Sequence, residues 1–137
     1  MHFVSSRIIT DDVARLVAFY ERATGVSATW ATADFAELRT ASATLAVGST
    51  RTVPLFAPGS ARPADNRSVI LEFLVEDVDR THEDLSGFVD AFVSGPTTLP
   101  WGNRSLLFRD PDGNLVNFFT PVAPAAIERA GGTHGSS

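Results

Sequence analysis

Arg7 and Glu72 have the most polar chemistry to offer, and an internal repeat brings them into correspondence. FVSSRIIT (3–10) and VILEFLVE (69–76) are both β-preferring runs. Each leads into an acidic helix opening, Asp12-Val13-Ala14-Arg15 in the first and Asp77-Val78-Asp79-Arg80 in the second. Laying one opening on the other sets Ser5 on Ile70, Arg7 on Glu72 and Ile9 on Leu74. Strand alternation puts these residues on one face and Val4, Ser6, Ile8, Val69, Leu71, Phe73 and Val75 on the other. A cation and a carboxylate at matching places can orient a polar ligand or act as a general acid–base set. They can also do no more than satisfy each other's charge.

A second constellation is Trp101-Gly102-Asn103-Arg104. Here a flat aromatic adjoins a glycine that would let a ligand approach the backbone, with two polar side chains behind it. The alternative is Trp101 packed on the hairpin as a lid on the core and Arg104 paired with an acidic turn residue. Phe119 and the apolar island at Leu55-Phe56 could supply further wall, lid or oligomer contact. Asp110 and Asp112 flank a proline and precede a glycine, which suits turn-forming Asx residues better than catalytic carboxylates.

The rest of the composition excludes several chemistries. There is no cysteine, so disulfides, thiolate zinc sites and a Cys nucleophile are ruled out. All 11 cationic side chains are arginine, which removes Schiff-base chemistry. Of the three histidines, His2 precedes the first strand, His82 falls on an outer helix and His134 lies in the tail. Each reads as a solvated imidazole. A net charge of −5 without a basic stripe argues against a nucleic-acid partner. No apolar run approaches about 18 residues and no leader pattern opens the chain, so a cytoplasmic protein without a membrane partner is expected.

The elements that must position these residues follow in order. After the first strand, Asp11-Asp12 starts a helix whose Val13, Leu16, Val17, Phe19 and Tyr20 recur at helical spacing until Gly25. Phe19 and Tyr20 read as core. Short strands are expected over 27–31, 35–40 and 44–48. A Ser-, Pro-, Gly- and Arg-rich linker or flap follows over 49–67. The second half repeats the pattern: a strand, a helix interrupted at Ser86-Gly87, a strand over 91–94 and a loop over 96–100. The last feature is a hairpin in which Ser105–Phe108 and Leu115–Phe119 flank Asp110-Pro111-Asp112-Gly113-Asn114. A short helix over 126–129 and a disordered end from Gly131 complete the expectation.

The hairpin FRDPDGNLVNFF, close to the C-terminus of a chain this long, resembles the vicinal oxygen chelate superfamily. That group includes lactoylglutathione lyases, bleomycin-resistance proteins and extradiol dioxygenases. The resemblance covers Phe3 to Pro121. It implies an α+β fold in which two βαβββ modules pair into a curved, open half-barrel with a cavity inside and helices outside. Module one would run from about 1 to 50, a flap from about 51 to 67 and module two from about 68 to 122. Residues 123–137 would form a tail.

Metal enzymes of this group carry ligands at positions matching Ser5, Ile70, a residue near Val47, and Asn117, where the usual residue is Glu. None of the residues present is a good ligand for a divalent metal, so no metal and no cofactor is expected. What the resemblance then implies is a metal-independent, resistance-type protein that sequesters a small aromatic or polycyclic molecule. Similar Trp-Gly loops border the drug-binding groove of such relatives, which are often homodimers. Its groove would be walled by Trp101, Phe119 and Phe56. Ser5, Arg7, Glu72, Asn103, Arg104 and Asn117 would supply polar contacts. Three alternatives remain. One is a glyoxalase-like lyase or isomerase with Glu72 as base and Arg7 stabilising an enolate. The others are a metal enzyme with unusual ligands and an interaction module without a ligand.

Overall fold

The computed structural model describes residues 1–134. The chain is α+β and divides into two compact units, residues 1–67 with 111–113, and residues 68–110 with 114 onwards.

In the first unit β1 (Ser5–Thr10) leads into α1 (Val13–Thr24). Asp12 caps the helix by accepting from the Arg15 amide at 3.1 Å, which satisfies one orphan donor of the first turn. Gly25, at φ +75°, stops it by donating to the Glu21 carbonyl. β2 (Thr29–Thr32), β3 (Phe35–Arg39) and β4 (Thr44–Ser49) complete an open sheet of order β1-β4-β3-β2. β1 pairs with β4 in parallel and the other pairs are antiparallel. One face buries Ala36, Leu38, Leu45 and Val47, and α1 buries Val13, Leu16, Val17 and Tyr20. Each large member of such a set contributes about 1.5–3 kcal/mol. The opposite face carries Ser5, Arg7 and Ile9, whose partners on β4 are Thr44, Ala46 and Gly48.

The flap is more ordered than its composition suggests. Thr50–Leu55 forms a 3₁₀ helix, with the Ser49 hydroxyl accepting from the Arg51 amide. The Thr52 hydroxyl donates to the Ser49 carbonyl at 2.7 Å.

The second unit repeats the arrangement with β5 (Ile70–Leu74), α2 (Val78–Leu85), β6 (Phe92–Thr98), β7 (Asn103–Arg109) and β8 (Leu115–Pro121). Its order is β5-β8-β7-β6, again with one parallel pair, β5 with β8. Asp77 caps α2 by accepting from the Arg80 amide, as Asp12 does in α1. The Phe108 ring meets Phe118 edge-on at 5.0 Å, and Phe118 meets Phe73 at 5.4 Å, beneath α2.

Two expectations are corrected here. Pro96 does not open a loop, because β6 continues to Thr98. β6 is an edge strand and its register with β7 slips between Ser94 and Thr97. A residue without an N–H is tolerated at such a place. The tail is not disordered from Gly131, since α3 runs Pro124–His134. The expected disorder of Gly135–Ser137 lies outside the described residues.

Candidate functional site

In the first unit Arg7 is the focus. Its guanidinium carbon lies 4.6 Å from the Phe56 ring centroid and 5.9 Å from that of Phe35. Phe35 comes from β3 and Phe56 from the end of the 3₁₀ helix, so the flap brings an aromatic face to the strand cation. Beside them is a cavity of about 260 Å³ lined by Arg7, Ile9, Thr52, Val53, Phe56, Ser60 and Ala61. Gly48 makes the room. A Cβ there would stand 3.2 Å from the Thr52 hydroxyl and 3.5 Å from both the Arg7 stem and Ile9.

The nearby carboxylates of this unit are already engaged. Glu37 accepts from Arg39 at 2.9 Å. Asp34 accepts from Arg51 at 2.8 Å, and the hydrogen bond, followed by the charge, holds the Arg51 guanidinium above its ordinary pKa. Ser5 is exposed at the start of β1.

In the second unit the face opposite α2 carries Ile70, Glu72 and Leu74 from β5, with Leu115, Asn117 and Phe119 beside them on β8. Asn117 is 8% exposed and donates through Nδ2 to Glu72 Oε2 at 2.8 Å. The contact fixes the amide's orientation, since a carboxylate oxygen accepts. Glu72 itself is exposed. Asn117 Oδ1, Ser105 Oγ and Asn103 Oδ1 are buried without a protein hydrogen-bond partner, so this face keeps polar capacity to spare.

Other sequence-selected residues are engaged elsewhere. Arg104 points to the helix side of β7. There its Nε and Nη2 reach the two carboxylate oxygens of Asp79 at 2.9 and 3.0 Å, and its Nη1 reaches Thr98. The hydrogen bond is the leading cause that holds Asp79 below the usual carboxylate range and Arg104 above its own. Arg104 is therefore not among the polar groups of the opposite face.

Trp101 is 58% exposed on a turn closed by the Gly102 amide donating to Leu99, and its carbonyl accepts from Arg129 of α3. Gly102 does not leave space for a ligand. A Cβ at that position would lie 2.5 Å from the Ala123 Cβ and 3.1 Å from the Ala126 Cβ, so the residue ahead of α3 and the first turn of α3 fill the gap. Asp110 accepts from the backbone and side-chain amides of Asn114 at 2.9 Å each and closes the hairpin turn. His82 stacks edge-on against Phe92 at 4.9 Å.

A further cavity of about 350 Å³ lies along α3 between Leu74, Thr120, Pro121 and Ile127. None of the site residues selected from the sequence lines it. Phe35, Gly48, Thr52 and Ser60 were missed from sequence. Gly48, a glycine inside a strand, was the one available signal of a close approach.

Residues 2–118 match the Glyoxalase/Bleomycin resistance protein/Dioxygenase superfamily. The chain belongs to that superfamily. It is 25% identical over 125 residues to protein YraH of Bacillus subtilis, covering 87% of this chain and 98% of that one. The fold is similar to that of a glyoxalase/bleomycin resistance protein/dioxygenase from Nocardioides, with a TM-score of 0.74 and 21% identity. That match covers 90% of this chain and 85% of the other. A protein of unknown function from Agrobacterium tumefaciens is similar too, with a TM-score of 0.76 and 24% identity over 88% of this chain and 94% of its own.

The superfamily implies a divalent-metal site in its metal enzymes, and the donor set here can be tested against it. Arg7 pairs with Ala46 and Glu72 with Asn117, so the first-unit position matching Asn117 is Ala46, not Val47. The four positions thus present a hydroxyl, an alkyl chain, a methyl and an amide. Among the described residues no group of three or more His, Cys, Asp or Glu side chains could hold a metal ion. These residues do not fit a divalent cation, which favours imidazole and carboxylate.

Proposed function

We propose that this superfamily member is a metal-independent protein that binds a small aromatic molecule, in the manner of a resistance or sequestration protein. The observation that carries the reading is the Arg7 guanidinium 4.6 Å from the Phe56 ring centroid beside a cavity of about 260 Å³. An aromatic wall with a few convergent polar groups is the usual composition of a small-molecule site. Metal independence is supported by Ser5, Ile70, Ala46 and Asn117, none of which is a strong ligand.

On the second unit Phe119, Asn103, Asn117 and Glu72 are proposed as contacts for such a molecule, with Trp101 as a wall. A homodimer belongs to the same reading, supported by the exposed Phe3, Val4 and Trp30. The test is a titration with 2-naphthamide, followed by protein NMR in the presence and absence of a chelator. Saturable shifts that ignore the chelator support the reading. Shifts that vanish on chelation, or no saturable shift at all, overturn it.

A second reading is favoured by the Asn117–Glu72 contact. Asn117 holds one carboxylate oxygen of Glu72 at 2.8 Å, leaving the other to take a proton as a general base in a lyase or isomerase. If so, Glu72→Gln abolishes turnover of a 2-hydroxyacyl substrate, and unchanged turnover disposes of the mechanism.

A further inference from the structure

We infer that the first-unit cavity is an organic-anion subsite, in which Arg7 recognises a carboxylate on an aromatic body lying against Phe56. The assignment rests on the small-molecule reading above and adds the ligand's charge class.

Three observations carry it. First, Arg7 is balanced within its unit by ring faces. Ion pairs in that unit join Arg39 to Glu37, Arg51 to Asp34 and Arg62 to Asp65. Glu37, the carboxylate that lies across Ala46 from Arg7, is thus committed to Arg39. A guanidinium stacked on a ring keeps its N–H edge available for bidentate bonding to a carboxylate.

Second, the cavity is built to hold Arg7 in place. Gly48 admits the Arg7 stem, and Thr52, whose hydroxyl proton is given to the Ser49 carbonyl, packs in the same gap. Third, the other lining groups suit an aromatic anion. Ile9 and Val53 are apolar, Phe56 offers a ring, and the Ser60 hydroxyl adds a donor. No lining residue is acidic, so an ammonium group would meet Arg7 without a counter-charge.

The experiment uses three matched probes on the full chain: 2-naphthoate, 2-naphthamide and 2-naphthylmethylammonium. Each is titrated against isotopically labelled protein while the amides of residues 52–61 are followed. The expected result is at least tenfold tighter binding of naphthoate than of either other probe, with the preference shrinking as salt is added. In Arg7→Gln naphthoate loses its preference and binds no more tightly than naphthamide binds to the same variant, and Arg7→Lys restores part of the preference. Equal affinity for naphthoate and naphthamide, an ammonium preference, or a naphthoate preference that survives in Arg7→Gln overturns the charge assignment alone. Failure of all three probes to bind overturns it together with the aromatic-ligand reading.

Discussion

Gly102→Ala is the perturbation whose size the structure sets most directly. Gly102 sits at φ +91°, outside the conformations that a residue with a Cβ adopts freely, and holding alanine there costs about 1–2 kcal/mol. The added methyl would also stand 2.5 Å from the Ala123 Cβ and 3.1 Å from the Ala126 Cβ. Overpacking of this kind adds about 1–3 kcal/mol. The sum, about 2–5 kcal/mol, should lower the melting temperature by roughly 6–15 °C for a chain of this size.

Gly113→Ala is the matched control. Its φ is +82° and nothing lies within 4 Å of a Cβ there, so only the backbone cost applies. Urea melts of both variants separate strain from clash, and Ala123→Gly combined with Gly102→Ala should recover part of the excess. If Gly102→Ala is no less stable than Gly113→Ala, the seating of α3 against this turn is not what the glycine serves.

Asn117→Asp replaces the donor at Glu72 by a second carboxylate. It should cost about 1 kcal/mol or more at neutral pH, with the deficit shrinking in mild acid as one of the two carboxyls is protonated; equal melts at pH 7 and pH 4 would refute this. Arg104→Gln should leave naphthamide binding unchanged, because the guanidinium faces Asp79. It should also remove a stabilisation that is present above the ordinary carboxylate range and lost as pH falls through the depressed Asp79 value. Melts of the two proteins should therefore differ at pH 7 in low salt and converge in strong acid. Phe56→Ala should weaken naphthamide binding at least tenfold with little change in melting temperature, since the ring is 69% exposed, and equal binding removes Phe56 from the proposed wall.

Local chemistry explains what could be read from the sequence. Asp12 and Asp77 announce their helices because a side-chain acceptor three residues ahead of an amide is a short-range device. Asp110 through Asn114 announce their turn in the same way. Strand alternation held within β1 and β5, with Arg7 and Glu72 falling opposite Ile8 and Phe73, but not ahead of them, where Val4 and Val69 are 66% and 54% exposed instead of packed.

Readings that depended on distant neighbours failed. Pro96 looked like a break until β6 proved to be an edge strand. Gly102 looked like an opening until Ala123 and, on α3, Ala126 filled it. Arg104 alternates to the helix side of β7, and Asp79, on α2, has no sequence signal that would nominate it as partner. The residue of β4 that matches Asn117, placed only near Val47 from the sequence, was fixed at Ala46 by its pairing with Arg7. The Phe56 contact to Arg7 required a 3₁₀ turn that the linker's composition did not disclose.

The parallel pairing within each sheet has a kinetic consequence. β1 is the first strand of its unit to be synthesised, yet it bonds only to the last, with Ser5 opposite Thr44. β5 likewise waits for β8, with Ile70 opposite Leu115. Each unit must close a long loop before its first strand gains any ladder bond, and such non-local closure slows folding relative to hairpins. The hairpins β3–β4 and β7–β8 should therefore form early and act as templates onto which β1 and β5 dock late. During translation the strand bearing Arg7 would remain unpaired until residue 49 has left the ribosome.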